Sequence, residues 1–334
     1  MKKILIIAEA GVNHNGEIEI AKKLVDSACD AGADVIKFQS FKSEKLVIKN
    51  AEKAPYQLKD ENREKSQFNM LKKLELTDHE TIILKEYCKA KNIEFLSTAF
   101  DLESLKFLKN NGLNRYKIPS GEITNFPFLR EIAKMNMPTI MSTGMANMKE
   151  IEEAIICLCD FGLDKNLLTI LHCTTEYPAP FNEVNLKAMQ TIKNTFGISV
   201  GYSDHTLGIE VSISAAALGA EIIEKHITLN RNMNGPDHFA SIEPDQFKKM
   251  VTSIRNIELA LGNGIKSPTK SELLNKLVAR KSIYAAVNIS KGTPFDENNI
   301  VSKRPEGGIS PMKWENLIGH KAKRDYLKDE LISF

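Results

Sequence analysis

The 334-residue chain carries almost no net charge: 45 lysines and arginines face 43 aspartates and glutamates, a formal +2. That balance excludes a whole-chain electrostatic footprint for nucleic acid or membrane, yet leaves room for a local basic pocket around a small anion. Long apolar runs are missing as well. No stretch approaches the roughly 18 residues of a membrane span, and the opening MKKILIIAEAG imitates a secretory leader only until Glu9 interrupts it. A cytoplasmic protein is expected, with neither nucleic acid nor membrane as partner. Cysteine is scarce too. The five, at 29, 88, 157, 159 and 173, build neither an even disulfide framework nor paired CxxC knuckles, which suits a reducing compartment. Finally, no glycine-rich GxGxxG turn follows the first apolar run, which speaks against a doubly wound dinucleotide fold.

What is present is alternation. Runs rich in Ile, Val, Leu and Phe recur at 4–8, 34–39, 93–98, 115–119, 138–143, 167–173, 198–203 and 222–228. Between them lie amphipathic segments such as EIEIAKKLVDSACDAGA and DHETIILKEYCKAKN, with apolar residues at helical spacing. Strand then helix, eight times in roughly 260 residues, predicts an α/β fold of the (β/α)8 TIM-barrel type. The stretch 40–76 after the second strand is far longer than an ordinary connection and dense in Lys and Glu, so it reads as a lid or mobile arm. The segment around GNGIKSPTKSE reads as a linker. The expected organisation is a barrel over 1–265, a linker over 266–278 and a small β-rich domain over 279–334, the last too short to hold much core of its own.

Barrel active sites lie at the C-terminal ends of the strands, and there the sequence is repeatedly polar. Glu9, Asn13, His14 and Asn15 follow the first strand, and Lys37 and Gln39 sit at the second. Thr98 ends the third; Lys117, Ser120 and Glu122 end the fourth. Ser142 and Thr143 mark the fifth, and His172, Thr174, Thr175 and Tyr177 the sixth. Ser203 and His205 end the seventh, Glu224 and His226 the eighth. A single buried His is ordinarily a hydrogen-bonded core residue. Two at neighbouring strand mouths, His205 and His226, fit shared ligation of one divalent metal equally well. Lys37 in VIKFQ and Lys117 in YKIPSG stand inside otherwise apolar strands, where an ammonium is costly unless an anion meets it. With the hydroxyls of Thr98, Ser120, Ser142 and Ser203 they describe a pocket for a doubly anionic group, phosphate plus carboxylate. Each Ser or Thr alone reads as a helix cap; their repetition around one rim weakens that reading.

Across the whole chain these residues resemble the sialic acid synthases. The resemblance runs through AEAGVNHNG, DVIKFQSF, FLSTAFD, YKIPSGEITNFPFL, MSTGMA, LHCTTEYPAP, GYSDHT, EKHIT and GPDH, and a tail that looks like their antifreeze-like (SAF) domain. It implies a transferase that condenses phosphoenolpyruvate with an N-acetylated hexosamine. By resemblance, His205 and His226 match metal ligands for Mn2+, with Mg2+ or Co2+ possible. Lys37, Thr98, Lys117 and Ser120 match phosphate contacts, Ser142 and Ser203 carboxylate contacts, and Thr175 stands at a further position of the phosphoenolpyruvate site where some members carry Asn. Glu122 matches a carboxylate that handles protons or positions water. Gln39, Tyr177 and Asp237 resemble sugar-binding positions, and Arg304 in SKRPEG matches an arginine that reaches the substrate from the partner subunit of a domain-swapped homodimer. Some N-acetylneuraminate synthases have an acidic residue where this chain has Asn15. HCTTEYPAP with GPDH and ASIEP looks more like the legionaminic acid branch, whose sugar is 2,4-diacetamido-2,4,6-trideoxymannose. N-acetylneuraminate synthesis from N-acetylmannosamine is the rival and pseudaminate synthesis a more distant one. A pyruvate-dependent metal aldolase, and a carbohydrate-binding protein with an inert barrel, are the readings of other kinds.

Overall fold

The computed structural model describes residues 3–53 and 66–333. All eight expected runs are strands: β1 (Leu5–Gly11), β2 (Val35–Ser40), β3 (Glu94–Ala99), β4 (Tyr116–Ile118), β5 (Thr139–Ser142), β6 (Leu168–Cys173), β7 (Ser199–Asp204) and β8 (Ile222–His226). They pair in parallel in the order β3-β2-β1-β8-β7-β6-β5-β4. The ends of that series, β3 and β4, come within 8 Å Cα to Cα, so the sheet curls into a near-barrel whose last seam has no ladder.

The strands are buried on both faces, as a parallel sheet wrapped by helices requires, and so read as unbroken apolar runs such as Ile6, Ile7 and Ala8. The intervening helices present one apolar stripe each. Ile18–Asp30 buries Ala21, Leu24, Val25 and Ala28; Met148–Asp160 buries Ile151, Ala154, Ile155, Cys157 and Leu158. The latter starts in a capping box, Asn147 accepting from the Glu150 amide while Glu150 reaches back to the Asn147 amide. All five cysteines are free thiols. No described helix is long and apolar enough to cross a membrane.

Two compact units emerge, Met1–Gly262 and Asn263–Phe334. The expected linker is largely a helix, Lys270–Ala279, opened by a Thr269–Glu272 capping box. In the second unit, β9 (Ser282–Ala285) and β10 (Ile300–Lys303) pair antiparallel. Against expectation the unit has a core of its own, in which Ile283, Phe295, Ile300, Leu317, Tyr326 and Ile332 are buried together. The long stretch after β2 contributes two short helices, Ser43–Leu46 and Gln67–Leu74. Of the 40–76 stretch expected as a lid or arm, residues 54–65 lie outside the described residues.

Candidate active site

Side chains alternate along a strand, so residues two apart share a face. Lys37 and Gln39 on β2, Ser203 and the following His205 on β7, and Glu224 and His226 on β8 therefore look into the same cleft, about 430 Å³ in volume, at the C-terminal end of the strands. Register brings Glu9 on β1 level with both Lys37 and His226.

The floor is a buried set of two acids and two bases. Lys37 Nζ lies 2.6 Å from Glu9 Oε2 and 3.8 Å from Glu224 Oε1, and donates to Thr98 Oγ1 at 3.2 Å. Lys117 Nζ donates to both oxygens of Glu224, at 3.1 and 3.0 Å, and to Ser142 Oγ at 2.5 Å. Ser203 Oγ donates to Glu224 at 3.1 Å. Burial alone would raise the Glu224 carboxyl, but Lys117 and Lys37 outweigh it and hold it low. Glu9 goes the other way. Burial, with Glu224 adding to it, outweighs the pull of Lys37 and raises this carboxyl to about 7. Desolvation of Lys37 is overcome by Glu224 and Glu9, which hold its ammonium above the usual value. For Lys117, burial wins with the help of Lys37, and the ammonium is pushed down. Two lysine side chains thus sit at the bottom of the cleft, paired with internal carboxylates.

Above the floor stand the two histidines, their ring centroids 5.6 Å apart. His205 Nδ1 is committed to the Thr174 carbonyl at 2.6 Å, which fixes the tautomer and leaves Nε2 with its lone pair. His226 Nδ1 is buried with no hydrogen-bond partner. Burial lowers the His205 pKa to about 4, and burial together with His205 lowers that of His226, so both rings are neutral at pH 7. Tyr177 packs its ring 4.2 Å from that of His205.

Further round the cleft, Ser120 Oγ accepts from the Gly144 amide at 2.9 Å and touches Cys173 Sγ at 3.3 Å. Gly144 is needed for this approach, because a Cβ there would meet Thr175 Oγ1 at 1.9 Å. Glu122 and Asp237 reach the rim; burial raises both carboxyls, Asp237 to about 6.

Every candidate that the sequence placed in the barrel lines this one cleft. Arg304 belongs to the second unit, exposed just after β10. Several polar strand-end residues are braces instead. Asn13 donates to the Ile227 carbonyl and to Ser241 Oγ, and Thr143 to the Leu171 carbonyl. Asn15 Oδ1 accepts from His238 Nε2 at 3.1 Å and does not line the cleft. Sequence reasoning assigned no role to Glu9 and Glu224, whose meaning depends on lysines distant in the chain. It also overlooked an apolar wall that includes Val12, Leu46, Val47, Met70, Leu71 and Phe100.

The sequence pattern of the NeuB family matches residues 24–266, and that of the SAF domain residues 280–334. The chain belongs to the NeuB family. Among NeuB relatives it is 56% identical over 334 residues to the N,N'-diacetyllegionaminic acid synthase of Campylobacter jejuni, covering 99% of each chain. It is 45% identical to the enzyme of that name from Legionella pneumophila, over 95% of this chain and 89% of that one. The N-acetylneuraminic acid (sialic acid) synthetase of Leptospira borgpetersenii, solved in complex with citrate, superposes with a TM-score of 0.72 at 38% identity, covering 82% of this chain and 90% of that one.

Proposed function

We propose that this NeuB chain is an N,N'-diacetyllegionaminic acid synthase, condensing phosphoenolpyruvate with 2,4-diacetamido-2,4,6-trideoxymannose and releasing phosphate. The observation that carries the reading is the pair of buried lysines, Lys37 and Lys117, beside two neutral histidines in one cleft of a chain 56% identical to a synthase of that name. An inert scaffold has no need of two ammonium groups that face an open cleft.

Lys37 and Lys117 exchange their internal carboxylates for the phosphate and carboxylate of phosphoenolpyruvate, with Thr98, Ser120, Ser142, Thr175 and Ser203 supplying hydroxyls. C3 of phosphoenolpyruvate attacks the C1 aldehyde of the open-chain sugar, whose oxygen takes up a proton. Water adds to the cationic C2, and the tetrahedral centre expels phosphate with its bridging oxygen. Glu122, its carboxyl raised by burial, holds or relays the proton of that water. Gln39, Tyr177 and Asp237 receive the sugar.

Among the described residues no group of three or more His, Cys, Asp or Glu could hold a metal. Two imidazoles, one with Nδ1 tied and one with an unpartnered nitrogen, nevertheless fit a divalent ion that keeps open positions. His205 and His226 would hold it, with Mn2+ the expected ion and Mg2+ or Co2+ as alternatives. When bound there it supplies Lewis-acid polarisation of a carbonyl oxygen. Chelation should abolish turnover and Mn2+ restore it, and calorimetry should find Mn2+ binding to wild type but not to His205→Ala; full activity of the demetallated variant would refute the assignment.

Arg304 is read as completing the sugar site of a partner subunit in a homodimer, in a reducing, cytoplasmic setting. Mixing Arg304→Ala with His205→Ala protein should restore activity from two inactive parents. Mixed dimers at parental activity would remove the trans role. The function itself is tested by supplying phosphoenolpyruvate with each candidate sugar, following phosphate release and weighing the product. A product from N-acetylmannosamine at equal efficiency would move the chain to the N-acetylneuraminate branch, and no phosphate release with any amino sugar would leave a carbohydrate-binding protein.

A further inference from the structure

The cleft has an apolar side that the condensation chemistry does not use. The loops after β4, β6, β7 and β8 present mostly polar groups, among them Glu122, Tyr177, His205 and Asp237. The segments after β1, β2 and β3 instead present Val12, Leu46, Val47, Met70, Leu71, Leu74 and Phe100, with Gln67 the one polar side chain among them. Leu46, Met70, Leu71 and Phe100 rest on a small apolar cluster separate from the barrel core, in which Val12, Phe41 and Leu74 are buried. The wall is also seated firmly. Phe41 and Phe100 meet edge to face with centroids 6.3 Å apart. Glu75 Oε1 accepts from the Ser43 amide at 2.5 Å and Lys72 ties Glu44 to Glu75 at 3.0 and 2.9 Å, joining the two short helices. A Cβ on Gly16 would lie 2.3 Å from the Lys73 carbonyl oxygen, so the β1 loop packs directly against the second helix.

Chemistry limits which part of the sugar can meet this wall. The C1 aldehyde must lie beside C3 of phosphoenolpyruvate, low in the cleft near the lysines and histidines. The carbon chain then runs outward, and its far end reaches the level of the loops that carry the wall. A methyl group there loses only water, whereas a hydroxyl would be desolvated against Leu and Val, with Gln67 the one polar side chain on these segments. We infer that the wall formed by Leu46, Val47, Met70 and Leu71 is the element that selects a sugar ending in a C6 methyl over one ending in a C6 hydroxymethyl.

The inference rests on the synthase reading and deepens it, so its test separates the two. The informative pair of substrates is 2,4-diacetamido-2,4,6-trideoxymannose and its 6-hydroxy counterpart, which differ at C6 alone. With saturating phosphoenolpyruvate, wild type should favour the 6-deoxy sugar in kcat/KM by about 10- to 100-fold. Val47→Thr, which trades a methyl for a hydroxyl at nearly constant shape, and Leu71→Asn should each cut that ratio by about 10-fold, with the KM for phosphoenolpyruvate unchanged. Should Leu71→Asn fail to fold, Val47→Thr decides. A folded Val47→Thr protein with the wild-type ratio, or a wild type indifferent to C6, overturns the assignment. Calorimetric titration of the same two sugars runs in parallel. If neither is turned over, the synthase reading fails, while a 6-deoxy preference in binding that Val47→Thr abolishes still upholds the wall, and no preference in binding removes it.

Discussion

β7 and β8 each alternate a lumen-facing residue with one that faces the surrounding helices, and the two faces carry two different buried ion-pair systems. On the helix side Asp204 and Lys225, 2.9 Å apart, are fully buried, and both oxygens of Asp204 are fully paired. Asp204 Oδ1 accepts from the Thr206 amide and hydroxyl at 2.9 and 2.7 Å, Oδ2 accepts from Ser212 at 2.6 Å, and Lys225 donates to the Thr206 carbonyl at 2.5 Å. On the lumen side Glu224 and Glu9 share Lys37, Glu224 also takes Lys117, and Glu9 Oε2 lacks a well-formed hydrogen bond. The saturated system braces the turn that carries His205. The incomplete one faces the cleft, where the proposed function places the substrate's dianion. Completeness of hydrogen bonding, rather than charge or burial, separates scaffold from site here.

Deleting a lysine from each system tests the comparison most strongly. Lys117→Met should lower kcat/KM by roughly 10³-fold, because a donor to the substrate dianion is lost in a water-poor site. Its melting temperature should change modestly, since Ser203 still serves Glu224 and water can enter from the cleft. Lys225→Met should do the reverse. Leaving Asp204 without its cation should cost about 3 kcal/mol in denaturant unfolding, near the lower end for a broken buried pair because three other donors remain. The folded fraction should retain kcat within about tenfold of wild type. Similar unfolding midpoints for the two variants would erase the distinction.

The barrel was legible because each strand is a continuous apolar run and each helix has a stripe, both local signals. Lys37 and Lys117 were legible because a charge within such a run is conspicuous. Glu224 was visible as a polar strand-end residue, but its role depends on Lys117, 107 positions away, and on closure of the sheet. The wall was hidden for another reason. Leu46, Val47, Met70 and Leu71 are scattered in a Lys- and Glu-rich stretch, on or just after helices of 4 and 8 residues that are too short to show a period. The helix over Lys270–Ala279 did leave a signal, the capping box Thr269-x-x-Glu272 ahead of Leu273, Leu274 and Leu277, which the flanking Gly and Pro obscured.

Asp237 sharpens the comparison with the smallest effect, because it is an acid whose shift comes from burial alone. Its carboxyl stands at about 6, against an ordinary 3.8, so the folded protein holds this proton more tightly than the unfolded chain does. The stability linked to it is complete below 3.8 and is lost as pH rises through about 6, above which the folded state bears an unpaired carboxylate. Asp237→Asn removes the titration. Its melting temperature should match wild type near pH 4, rise above it between pH 4 and 6, and keep a constant lead at pH 8. The two pKa values set an upper bound of about 3 kcal/mol on that lead, and relaxation of cleft water around the carboxylate should bring it nearer about 1 kcal/mol. An Asp237→Asn protein that is no more stable than wild type anywhere between pH 4 and 8 would mean that a cation meets Asp237 after all, making it a member of a saturated system like Asp204. A lead that grows with pH and disappears when the amino sugar is added would instead mark Asp237 as a carboxylate kept unpaired for the sugar's hydroxyl and amide donors.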